Sequence, residues 1–178
     1  MADRTRTADP ADPTDLAVLT ALRRAWTEED AGGPVVDEDF EDTFAAWARD
    51  ERRTFFVVER DGVAIGSLNV LEYHRMPSPG QPQGRWGYLA NAYVRTEHRG
   101  AGLGALLLEA ALVHCAARGH ARVVLSPSPR SVPFYARAGF APASGLMILD
   151  AEALGRTRSA DDDAQRCTAR SASTTPRP

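Results

Sequence analysis

Tyr93-Val94-Arg95-Thr96-Glu97-His98-Arg99-Gly100-Ala101-Gly102-Leu103-Gly104-Ala105-Leu106-Leu107 is the stretch that decides how this chain folds. A β-rich run ends at its start, a charged turn follows, and three glycines at alternate positions open an amphipathic helix. The N-terminus of a helix presents unpaired N–H groups and a partial positive charge. Glycines let a phosphate come close to that backbone. Three readings compete. One is a glycine-rich turn with no ligand. A second is a dinucleotide fingerprint, since Gly100, Gly102 and Ala105 satisfy G-x-G-x-x-[GA]. That fingerprint wants a strand running straight into the glycines and an acid about 20 residues on. Here a charged turn intervenes, and no Asp or Glu occurs between Glu109 and Asp150. The third is a pyrophosphate cradle of the [RQ]-x-x-G-x-[GA] type, met by Arg99, Gly102 and Gly104.

Working outward, the pattern predicts a helix opened by Thr14 or Asp15, with Leu16, Leu19, Leu22 and Trp26 at helical spacing. A second helix is expected over 39–50, with Phe40, Phe44 and Trp47 on one face. Residues 54–59 (TFFVVE) and 63–73 flank Asp61-Gly62, a strong hairpin signal. Residues 76–84 (MPSPGQPQG) form a loop, and 86–94 a further strand. The helix after the glycines is expected over 103–118, with Leu103, Leu107, Ala110 and His114 on one stripe and Gly119 ending it. A short buried strand at 123–125, a short helix at 133–138 and a last strand at 146–149 complete a mixed α/β domain with one strand–helix–strand crossover. From residue 155 to 178 the chain is polar, with an acidic run and many Ser and Thr. This segment reads as a disordered tail, leaving 1–154 as the domain.

Composition narrows the chemistry. The 178 residues include no lysine, so all 21 Lys+Arg positions are arginine against 24 Asp+Glu, a net charge of -3. No Schiff-base lysine or P-loop of the G-x-x-x-x-G-K-[ST] type can exist. Any anion must be held by arginine, hydroxyls or backbone N–H groups. The sequence pI of 5.8 gives no support for nucleic-acid binding. Cys115 and Cys167 match no metal-ligand or redox spacing. No apolar run approaches the roughly 20 residues of a membrane span, and the polar, acidic-to-mixed stretch at 1–15 contains no apolar h-region, so no signal peptide is expected. The expectation is a cytoplasmic protein with no metal, nucleic-acid or membrane partner.

The segment from Val94 through Leu107 resembles the acetyl-coenzyme A motif of the GCN5-related N-acetyltransferases (GNAT). Phe134-Tyr135-Ala136-Arg137-Ala138-Gly139-Phe140 is similar to that family's YxxxGF element, at the expected distance downstream. The resemblance covers roughly 4–150 and is strongest over 86–140. It implies a mostly antiparallel central sheet, flanked by helices, with a V-shaped splay between two parallel strands. The pantetheine arm of acetyl-CoA would enter the splay beside Ala92, Tyr93 and Val94. Its pyrophosphate would sit on the backbone of Arg99, Gly100, Ala101, Gly102, Leu103 and Gly104, with Ala105 at the helix start. Where the family often has an asparagine, seven residues before the tyrosine, this chain has Ser128. Ser131 falls where a small residue near the cofactor is usual. Tyr135 resembles the residue that protonates the departing thiolate.

The base is open among Glu72, His74 and a water held by Asn91, because the family has no single base position. The expected reaction moves acetyl from acetyl-CoA to an amine in a ternary complex. Acidic clusters at 28–30 and 37–39 suggest a cationic acceptor. A protein N-terminus or lysine is an alternative acceptor, and a homodimer is admitted. A non-catalytic acyl-CoA sensor and a nucleotide-dependent reductase are the competing classes.

Overall fold

Asp61 and Gly62 adopt φ of 51° and 82°, the two left-handed residues that a tight hairpin with native twist requires. They join β2 (Arg53–Arg60) to β3 (Val63–His74) in a computed structural model that describes residues 3–50, 52–143 and 145–147. Five strands form one sheet in the order β1-β2-β3-β4-β5, with β1 at Asp3–Ala8, β4 at Arg85–Val94 and β5 at Arg122–Val124. The first four pair antiparallel, and β4 and β5 pair parallel. The mixed α/β class and mostly antiparallel sheet are those expected. Residues through Ala138 form one compact unit, and Gly139 begins a second.

β2 reads as an unbroken apolar run because both of its faces are covered. Phe55 meets Trp47 of α2 (Phe40–Asp50) at 6.1 Å between ring centroids, while Phe56 meets His114 of α3 (Leu103–Ala117) at 5.4 Å. One core layer joins Ala8, Phe55 and Val57 to Leu19 of α1 (Pro13–Ala31) and Ala48 of α2. On the other side α3 buries Leu103, Leu107, Leu108, Ala111 and Cys115. The buried stripe is thus rotated from the expected one, with Ala110 and His114 at its margin. Burial also pushes the free Cys115 thiol up from its ordinary pKa.

Other expectations change as well. α1 is capped by Asp12, whose carboxylate accepts from Thr14 N at 2.7 Å and Asp15 N at 3.3 Å. The polar N-terminus forms β1, because Arg4 and Arg6 neutralise Glu59 of β2, each with one 2.6 Å contact. Those hydrogen bonds, Arg6 first, hold Glu59 below its ordinary pKa. Of the strand expected at 146–149, Leu146 and Met147 are not in a strand, and both are exposed. Residues 148 and 149, like the expected tail at 155–178, lie outside the described residues. Among the described residues no helix is long and apolar enough to cross a membrane.

Candidate active site

β5 pairs with β4 only at Trp86, Gly87 and Tyr88. Among the described residues, 89–94 of β4 therefore have no strand partner on that side, and the parallel pair splays open. On the other side, β4 carries a bulge. Pairing passes from Ser67↔Tyr93 to Asn69↔Ala90, so Asn91 and Ala92 both stand opposite Leu68. Asn91 takes the left-handed conformation, with φ 55°, which asparagine tolerates better than most residues. Gly66 lets the strands close again past the bulge. A Cβ there would lie 2.7 Å from the Tyr93 carbonyl oxygen and 3.0 Å from Val94 Cγ2.

The chain leaves β4 through a 3-10 turn at Thr96–His98 and enters α3 through Gly100 and Gly102, at φ 80° and 81°. Gly102 caps α3 without a side-chain hydrogen bond. The first turn of the helix therefore offers backbone donors to a ligand. A cavity of about 790 Å³ lies there, lined by Arg99, Gly100, Gly102, Gly104 and Ala105, with Phe134 and Arg137 across from them.

A second cavity, of about 360 Å³, continues from the first and shares Val94, Arg99, Gly104 and Phe134 with it. Here Ala92, Tyr93, Ser128, Ser131 and Tyr135 meet. Tyr135, on α4 (Val132–Arg137), is 8% exposed, and burial raises its phenol above the ordinary tyrosine value. Ser128 and Ser131 hydrogen-bond through their hydroxyls at 3.0 Å, and Ser131 Oγ donates to the Ser128 carbonyl at 3.0 Å. All the residues expected to hold the cofactor, except Ala101, line one of these two cavities.

Sequence reading missed the role of α1. Trp26 stacks on Tyr93 at 5.8 Å with the planes 6° apart. Glu29 bridges Arg99 Nη1 at 2.6 Å and Nη2 at 3.0 Å, and accepts from the Tyr93 hydroxyl at 3.3 Å. A hydrogen bond from Thr96, and then Arg99, holds Glu29 below its ordinary pKa. Arg99 Nε also donates to the Val94 carbonyl at 2.8 Å. The Arg99 guanidinium is thus a strut between α1 and the end of β4. Glu29, expected on an acidic rim, is already paired. These contacts join residues some 70 apart in sequence, which no local pattern announces.

A third cavity, of about 350 Å³, shares Trp26 and Tyr93 with the second and runs between α1, α2 and the sheet. Asn91 lines it. Glu72 and His74 line none of the three. Both stand at the far end of β3, where Glu72 pairs with Gly87, roughly 20 Å of strand away from Val94. Arg118 hydrogen-bonds Glu72 at 2.7 and 3.1 Å, and His74 Nε2 lies 2.5 Å from it. Chiefly through Arg118, the Glu72 carboxyl is held at about 2. Glu72 thus stands paired with Arg118 and His74, apart from the cavity that Tyr135 lines.

The family model for the GNAT acetyltransferase family matches residues 17–140. Among solved structures, a predicted acetyltransferase with acetyl-CoA from Clostridium acetobutylicum is similar at TM-score 0.64 and 20% identity, over 84% of this chain and 96% of that one. A GCN5-related N-acetyltransferase from Ralstonia eutropha JMP134 is similar at 0.62 and 26%, over 84% and 99%. AAC(6')-Iy in complex with the bisubstrate analogue CoA-S-monomethyl-acetylneamine is similar at 0.64 and 19%, over 84% and 98%. A search of curated protein sequences found no match. The family match begins within α1 and ends just past α4, taking in both motifs, and on it the chain belongs to the GNAT acetyltransferase family.

Proposed function

We propose that this chain transfers acetyl from acetyl-CoA to a primary amine by direct attack within a ternary complex. The observation that carries this reading is the meeting of Tyr135, the open edge of β4 and the first turn of α3 in one connected pair of cavities. The pyrophosphate would rest on the α3 N-terminus, with the pantetheine along 92–94. The acceptor would come from the cavity lined by Asn91. A neutral amine attacks the thioester carbon, a C–N bond forms, and the carbonyl oxygen takes negative charge. A backbone N–H near Val94 would stabilise that charge. The C–S bond then breaks, Tyr135 protonates the thiolate, and the amine loses one proton to a water held beside Asn91. The products are an N-acetyl amide and the CoA thiol, and Tyr135 recovers its proton from solvent.

The Clostridium structure holds acetyl-CoA and that of AAC(6')-Iy holds a bisubstrate analogue, which supports an acetyl-CoA-dependent reading of the shared fold. Thiol release from acetyl-CoA across a broad amine panel tests it. Amine-dependent release is expected. NADH binding without acetyl-CoA binding would favour a reductase, and acetyl-CoA binding without turnover on any amine would favour a sensor.

A further inference from the structure

We infer that the acceptor is an aromatic-bodied amine carrying a carboxylate, of the aromatic amino acid class, seated in the cavity between α1, α2 and the sheet. This rests on the N-acetyltransferase reading and specifies its second substrate. The cavity walls are aromatic: Trp26, Phe40, Phe44, Trp47, Phe55 and Tyr93 all line it. Successive rings from Phe40 to Phe55 lie 5.9, 5.6 and 6.1 Å apart, the spacing at which rings attract one another. The volume of about 350 Å³ suits a one- or two-ring molecule rather than a long chain.

Charge points the same way. An open aromatic cage attracts ammonium groups, but here guanidinium groups already lie over three of the rings. Arg23 lies over Trp26 at 4.6 Å, Arg24 over Phe40 at 5.1 Å and Arg53 over Trp47 at 4.7 Å. No Asp or Glu is among the described lining residues, and Arg23 is their sole charged member. Arg23 has no carboxylate partner among the described residues. A polycation would meet repulsion here, whereas an acceptor carboxylate would find Arg23 at the wall. Asn69, 3% exposed, lines the cavity with its Oδ1 fixed by Arg53 Nη1 at 2.9 Å. With Ser67 and Asn91 it adds neutral polar groups beside the apolar body.

The test compares kcat/KM for phenylalanine, phenethylamine and spermidine with the full-length protein and with Arg23→Gln. Phenylalanine is expected to be the best of the three. Arg23→Gln should lower its kcat/KM about tenfold, as expected for a lost charge-assisted hydrogen bond, and leave phenethylamine within about twofold. A preference for spermidine, or an equal loss for both aromatic amines, overturns the inference while leaving the N-acetyltransferase reading intact. Turnover of other amines with all three silent does the same. Silence toward every amine overturns both.

Discussion

Tyr135 carries the sharpest consequence at the scale of single residues. Burial raises its phenol above the ordinary value, so the proton-bearing form persists to higher pH than in a free tyrosine. Any alkaline fall in kcat caused by Tyr135 is therefore expected above pH 10, and a pH–rate profile with saturating substrates checks this. A fall centred near pH 7 would point to another acid. Gly66 is the second such residue. Its missing Cβ leaves room for the Tyr93 carbonyl, so Gly66→Ala should cost about 1–3 kcal/mol by overpacking and weaken acetyl-CoA binding. Denaturant unfolding and a binding titration read the two effects. The glycines and Tyr135 were legible in the sequence because each lies in a local motif. Gly66 was not, since its neighbour across the sheet is fixed only by the β3–β4 register.

Among the elements, α1 is the least legible part of the site. Its apolar spacing predicted a helix, yet nothing local showed that Glu29 would clamp Arg99 or that Trp26 would stack on Tyr93. Glu29→Gln keeps the shape and removes the charge. It should raise the acetyl-CoA Kd by no more than about fivefold, because partly exposed ion pairs are weak, and the change should shrink at high salt. Calorimetric titration at two ionic strengths measures both. β1 was hidden for a related reason. DRTRTA carries no apolar alternation, and its pairing depends on the Arg4, Arg6 and Glu59 contacts 53 and 55 residues apart. The hairpin, by contrast, was readable, because Asp61-Gly62 specifies its own turn.

At the largest scale, β3 and β4 carry different groups at their two ends. One end holds the connected cavities, and the other holds Glu72 with Arg118, His74, Arg85 and His120. Glu72 has a depressed pKa of about 2, so its contribution to stability is present above the unfolded value of about 4.5 and is lost as pH falls toward 2. Glu72→Gln should thus lower Tm at pH 7, and the difference from the unaltered protein should close as the pH falls through that window. Its kcat at pH 7 should be unchanged, which separates a structural carboxylate from a base. The sequence carried the sheet's order of elements from the first helix to Tyr135, but not which end of β3 faces the chemistry. The absence of lysine fits the proposed pyrophosphate seat, since Gly100, Gly102 and Gly104 line that cavity and bring helix-end backbone to it. Acid catalysis by Tyr135 is read from amine-dependent thiol release by Tyr135→Phe. A kcat lower by about 10²-fold or more with acetyl-CoA affinity unchanged is expected; an undiminished kcat would exclude Tyr135 as the acid.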